Sequence, residues 1–150
     1  MDGGDAQEQG RHRLVTEGEW AGWSLYGADP FEELTGPFHY RRNDDGRLVC
    51  GFKAEKKHMN GSGFMHGGCM ATFADYALFI IAMDALEGSG SVTASLSCDL
   101  LDSAQEGDLV EATGEVTKAG GSMVFVRGLA RVGTRTIFSF TAIIKKIRRR

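Results

Sequence analysis

The sequence predicts an α+β fold in which a curled antiparallel sheet wraps one long central helix. Three observations predict it. His66 to about Leu86, HGGCMATFADYALFIIAMDAL, is the one segment long enough and rich enough in Ala, Met and Leu to be a long helix, and it is apolar on nearly every side. The runs that follow it alternate apolar and polar residues with a period of two, as half-buried strands do. The strands are joined by short turn sequences, which favours antiparallel pairing, and a single long helix excludes a doubly wound parallel sheet.

Taken in order, Met1 to Arg13 is polar and glycine-containing and reads as a mobile arm, with residues 14–150 forming one domain. Glu17 to Tyr26 sets Trp20 and Trp23 three apart, the spacing of one face of a short helix, before Asp29-Pro30 interrupts it. Phe31 and Leu34 extend the apolar theme to Gly36-Pro37. Phe38 to Arg42 and Leu48 to Ala54 flank Asn43-Asp44-Asp45-Gly46, a turn sequence, and so form a β-hairpin. The apolar helix comes next, and a helix hydrophobic all round must be wrapped all round. Val92, Ala94, Leu96, Cys98 and Leu100 form the apolar face of the next strand, and Val110, Ala112, Gly114 and Val116 that of another. Met123 to Val132 and Thr136 to Ile147 are two further β-rich runs, giving two strands, a helix and four strands.

Composition narrows the function. At 150 residues with 42% hydrophobic and 25% charged side chains, the chain has the make-up of one ordinary globular domain. Such a domain can bury roughly 70% of its unfolded surface without disulfides or a structural metal. Cys50, Cys69 and Cys98 are odd in number and lack CxxC spacing, so they read as reduced thiols of a cytoplasmic protein. The amino-terminal residues have no apolar signal core, and the longest apolar run, Tyr76 to Met83, is too short to span a membrane. A net charge of -3 argues against a nucleic-acid binder. The charge is unevenly spread, because His58 to Thr117 has no Lys or Arg while Lys118 to Arg150 has no acid. A basic carboxyl-terminal third is either a solvated surface or a seat for a polyanionic small molecule.

Several motifs can be set aside. Gly61-Ser62-Gly63 lacks the third glycine of a dinucleotide loop, since His66 stands there. His58, His66 and Asp75 have no metal-ligand spacing, and no nucleophile elbow is present. Two features remain. Asp75 lies inside the apolar helix with no local Lys or Arg to pair with it, so it must be hydrogen-bonded, protonated or open to a pocket. Gly67-Gly68 opens the helix, where unpaired N–H groups and the dipole favour an oxygen and the missing side chains allow close approach. Gly67 and Asp75 are about two helical turns apart, too far to act on one atom within one chain.

Together, HMNGSGFMHGGCMATFADYAL resembles the signature of the hotdog-fold acyl-CoA thioesterases of the phenylacetate-pathway (PaaI) and 4-hydroxybenzoyl-CoA type. Asn60, His66, Gly67, Gly68 and Asp75 match it in type and spacing, and the likeness spans roughly Gly36 to Ile147. The resemblance implies hydrolysis of an acyl-CoA without cofactor or metal. It implies that Gly67 N–H polarises the thioester carbonyl with the Asn60 amide, that His66 shapes the loop or sits near the sulfur, and that Asp75 of a second subunit acts as general base or nucleophile. Thr93 then orients the carboxylate and water. Gly68 belongs to the substrate site, Lys118, Arg127 and Arg131 are candidates for the coenzyme A phosphates, and the assembly is a homodimer or a homotetramer. The competing readings are a hotdog hydratase or dehydratase and a non-catalytic acyl-CoA-binding module.

Overall fold

The computed structural model describes residues 10–147. Its strands are β1 (His12–Leu14), β2 (Ser24–Tyr26), β3 (His39–Arg42), β4 (Leu48–Lys53), β5 (Ser91–Leu100), β6 (Leu109–Ala119), β7 (Met123–Val132) and β8 (Arg135–Lys146). All eight belong to one antiparallel sheet in the order β1-β2-β3-β4-β6-β7-β8-β5. The helices are α1 (Pro30–Thr35), the central helix α2 (Gly67–Ile81) and the short α3 (Met83–Leu86). The sheet wraps α2, and the core forms where they meet. Phe52, Phe73, Leu78, Val110, Val124, Phe138 and Ile144 are all fully buried there. Phe73 on the helix meets Phe52 on β4 edge-on with ring centres 4.6 Å apart, an arrangement that aromatic quadrupoles favour.

The expected hairpin, central helix and four later strands are all present, with five differences in detail. The first lies in the arm: residues 1–9 fall outside the described residues, but His12 and Arg13 belong to β1 and pair with Tyr26 and Leu25. Secondly, Glu17 to Tyr26 is not a helix. Gly18 and Gly22 have φ of +82° and +88°, a left-handed conformation that ends any helix there, and the chain turns and then extends into β2. Its tryptophans pack on the sheet face away from α2. Trp20 stacks on His39 at 4.1 Å, and a Cβ at Gly51 would stand 3.1 Å from the Trp23 ring, so only glycine admits them this closely.

A third difference is that the central helix stops at Ile81, with Ala82 separating it from α3. Fourthly, the helix is not covered on every side. Met70, Phe73, Ala74, Tyr76, Ala77, Leu78 and Ile80 are buried, whereas Gly68, Ala71, Thr72, Asp75 and Phe79, which follow one another at helical spacing, form a partly open strip. The fifth difference is a bulge in β5. Thr93 pairs with Ile144 and Ser95 with Ile143, leaving Ala94 as an extra residue. The alternation therefore changes phase. Leu96 and Cys98 turn inward as expected, but so does Thr93, while Val92, Ala94 and Leu100 are exposed.

Candidate active site

The central helix begins at an N-cap supplied by His66, whose Nδ1 accepts the Gly68 N–H at 2.9 Å. The carbonyl of His66 takes the N–H groups of Cys69 and Met70. The Gly67 N–H is thus left without an acceptor among the described residues, on a half-exposed residue at the positive end of the helix dipole. A Cβ on Gly67 would lie 2.9 Å from Leu100 Cδ1, so the absence of a side chain is what opens this corner.

Asn60 stands in the turn just before the helix. Its Oδ1 accepts the N–H groups of Ser62 and Phe64 at 2.9 and 3.2 Å, which fixes the turn and leaves the side-chain NH2 as the free donor. His58 anchors the same region from inside. It is buried, its Nδ1 accepts the Glu55 N–H, and its Nε2 lies 2.5 Å from the Thr35 carbonyl oxygen. The His58 ring is therefore committed to the fold. Among the described residues no three His, Cys, Asp or Glu side chains are grouped as metal ligands.

Asp75 sits on the open strip of the helix. Thr93 Oγ1, turned inward by the bulge, donates to Asp75 Oδ1 at 2.6 Å. Among the described residues the other carboxylate oxygen has no partner, and no ion pair involves Asp75. The residue lines a notch of about 340 Å³ with Asp29, Phe31, Glu32, Ala71 and Thr72. The carboxylate is thus oriented by one hydroxyl and open on the other side, an arrangement suited to holding and deprotonating a water.

Glu32 and Tyr76 were not singled out from the sequence. Burial pushes the Glu32 carboxyl up to about 7, with the negative charges of Asp29 and Asp75 adding to the effect. Tyr76 is buried, and desolvation raises its phenol, so it stays a hydrogen-bond donor. The available signal was an acid between Phe31 and Leu34, but only the fold turns α1 onto the central helix and brings Glu32 towards Asp75.

The sequence-derived residues therefore fall into three groups. Asp75 and Thr93 are in contact. Asn60, His66, Gly67 and Gly68 gather at the helix start, about 12 Å along the axis from Asp75 at 1.5 Å per residue. Lys118, Arg127 and Arg131 lie elsewhere. Arg127 and Arg131 alternate with the buried Val126 and Ala130, which places them on the sheet face away from the helix, and Lys118 is exposed at the far end of β6. Arg127 is paired there with Glu115, its Nε donating to Oε1 at 2.6 Å.

Comparison with known proteins places this geometry. Residues 62–138, from the turn before the helix into the start of β8, match the thioesterase superfamily. The chain belongs to the thioesterase superfamily. A putative esterase of Pseudomonas aeruginosa is 31% identical over 120 residues, covering 79% of this chain and 90% of that protein. Human acyl-coenzyme A thioesterase 13 is 26% identical over 95 residues, 63% of this chain and 68% of its own length. Among solved structures, a Bacillus halodurans protein crystallised with CoA superposes with a TM-score of 0.74 at 22% identity, covering 82% of each chain. The Escherichia coli PaaI protein superposes with a TM-score of 0.69 at 21% identity, covering 80% of this chain and 86% of its own. The fold of this thioesterase-superfamily chain is the hotdog fold, with its curled sheet around one main helix. No helix among the described residues is long and apolar enough to cross a membrane.

Proposed function

We propose that this thioesterase hydrolyses acyl-CoA thioesters, with Asp75 activating water and the Gly67 N–H holding the oxyanion. The observation that carries the reading is the Thr93 to Asp75 hydrogen bond of 2.6 Å, which orients a carboxylate that has no cationic partner among the described residues. A water held by the free carboxylate oxygen attacks the carbonyl carbon of the thioester and gives its proton to Asp75. The negative charge gathers on the carbonyl oxygen, where the uncommitted Gly67 N–H and the Asn60 NH2 donate to it. The tetrahedral intermediate then collapses, breaking the carbon–sulfur bond and releasing the acid and coenzyme A thiolate, which takes up a proton. His66 acts by capping the helix and occupying the Gly68 N–H. Gly68 keeps the approach to the carbonyl open.

The separation along the helix requires two subunits per site, so that Gly67 of one protomer faces the partner subunit's Asp75. The sheet supports such a pairing. It ends on β5, a ten-residue strand whose outer edge has no neighbour among the described residues, and Val92 and Leu100 are exposed on it. Two such edges pairing would join the sheets and bring both Asp75 notches to the seam. The assembly is a homodimer, or a homotetramer made of two dimers. Lys118, Arg127 and Arg131, on the far side of the sheet, meet coenzyme A phosphates only across a subunit boundary. The free thiols of Cys50, Cys69 and Cys98 fit a cytoplasmic setting.

The test is release of free thiol from a panel of acyl-CoA substrates of different chain length. Hydrolysis by the parent and its loss in Asp75→Asn are expected. Tight acyl-CoA binding with no cleavage at any chain length would instead mark a binding module.

A further inference from the structure

A cavity of about 360 Å³ runs beside the Asp75 notch, and two of its wall residues carry unmatched polar atoms. Glu32 and Tyr76 both line it, and Glu32 Oε2 and the Tyr76 hydroxyl are each buried with no hydrogen-bond partner among the described residues. Tyr76 as a residue is only 3% exposed. Leaving such groups unpaired in a folded protein costs stability, so each calls for a partner in the working state. Beyond them Phe79, Ile80, Met83 and Leu86 form an apolar stretch of wall along the central helix and α3, while Arg11 and Asp29 also line the cavity.

On the reading that this chain is an acyl-CoA thioesterase, we infer that Glu32 and Tyr76 select acyl groups bearing a hydroxyl near the thioester carbonyl, as in a 3-hydroxyacyl chain. The choice of group follows from the two orphaned atoms. The phenol can donate and the carboxyl oxygen can accept, and a hydroxyl answers both at once by accepting from Tyr76 and donating to Glu32. A carboxylate can only accept and an ammonium can only donate. Burial and the negative charges of Asp29 and Asp75 push the Glu32 carboxyl up to about 7, so a second anion is disfavoured there.

The position follows from the helix. Glu32 borders both the Asp75 notch and the cavity, and Tyr76 is the residue after Asp75. With the carbonyl at Asp75, the hydroxyl therefore falls within the first few carbons. The remainder of the chain passes over Phe79 and Met83, one and two turns further along the axis.

The experiment compares kcat/KM for octanoyl-CoA, 3-hydroxyoctanoyl-CoA and 8-hydroxyoctanoyl-CoA in the parent, Tyr76→Phe, Glu32→Leu and Glu32→Gln. The parent should favour the 3-hydroxy substrate about tenfold over the unsubstituted one, a modest net gain from satisfying both oxygens. It should show no such preference for the 8-hydroxy chain. Tyr76→Phe and Glu32→Leu should bring the ratio to near one and raise turnover of octanoyl-CoA, while Glu32→Gln, which keeps an acceptor oxygen, should retain the preference. Tyr76→Phe removes one oxygen and keeps the ring, so its ratio can be read on folded protein, with melting temperature as the check. A parent ratio near one, or a preference that survives both Tyr76→Phe and Glu32→Leu, overturns the inference while leaving the thioesterase intact. Failure to cleave any of the three thioesters overturns the thioesterase reading and this inference together.

Discussion

Asp75→Asn is the substitution on which the mechanism depends most directly, and the structure indicates why it should separate chemistry from folding. Asp75 Oδ1 accepts from Thr93 at 2.6 Å, and an asparagine oxygen accepts the same bond. The other carboxylate oxygen has no partner among the described residues, so an NH2 in its place breaks no contact and can turn to the notch. No cation among the described residues is left unpaired, since Asp75 takes part in no ion pair there. Melting temperature should therefore stay within a few degrees of the parent. The basic group, however, is gone. Losing a general base typically costs a factor of 10² to 10⁴, or about 3 to 5 kcal/mol in the barrier. Thr93→Ala should cost less, about tenfold, because it removes one orienting hydrogen bond that water partly replaces. The assay is thiol release under saturating acyl-CoA, run beside a thermal melt on the same preparations. An Asp75→Asn protein that turns over near the parent rate would falsify the water-activation mechanism. A protein that melts far below the parent would show that the carboxylate is structural.

Light scattering across micromolar concentrations should show at least a dimer wherever activity is seen, and an active monomer would rule out a site shared between subunits. Raising salt should weaken the apparent affinity for an acyl-CoA more than for a phosphate-free pantetheine thioester if Lys118, Arg127 and Arg131 meet phosphates; equal responses would return them to ordinary surface. Glu32 predicts a pH dependence of stability. Its carboxyl stands near 7 in the folded protein against an ordinary 4.5, so the stability it contributes is fully present below about 4.5 and is lost as pH rises through 7. Glu32→Gln should accordingly raise the melting temperature at pH 8 and leave it nearly unchanged at pH 4.5, and an equal gain at both would refute the assignment. Gly128 faces Gly114 across β6 and β7, and a Cβ on it would stand 2.3 Å from Phe140 Cζ. Gly128→Ala should destabilise by about 1 to 3 kcal/mol, the usual cost of overpacking, as measured by denaturant titration.

Much of this architecture was legible because it rests on local signals. The Asn43 to Gly46 turn, the 66–86 apolar run and the alternation in β6 each specify their element without reference to the rest of the chain. The helix start was equally readable, since Asn60, His66 and Gly67-Gly68 act through short-range capping and turn contacts. What could not be read depends on backbone conformation or on distant packing. The positive φ of Gly18 and Gly22 converts an apparent helical face into a strap, and the strap finds its place only because Gly51, some thirty residues later, leaves room for Trp23. Glu32 acquires its raised affinity for a proton chiefly from its burial when α1 packs on the central helix, which no window of sequence contains. Lys118, Arg127 and Arg131 form a basic cluster on paper, yet strand alternation sends the two arginines away from the helix, and Glu115 engages Arg127.

The bulge at Ala94 has a consequence for how this strand can change. β5 is in effect two half-strands of opposite parity, and Thr93 owes its inward aim to the one residue that separates them. Absorbing the bulge, so that Ala94 took a place in the ladder, would bring Val92, Ala94, Leu96 and Cys98 onto one face, with the hydrophobic pattern in phase from end to end and pairing to β8 uninterrupted. It would also turn the Thr93 hydroxyl outward and strip Asp75 of the hydrogen bond that orients it. In-phase apolar alternation of this strand and orientation of the carboxylate are therefore opposed, so the irregularity is a feature that improving the hydrophobic pattern alone would erase.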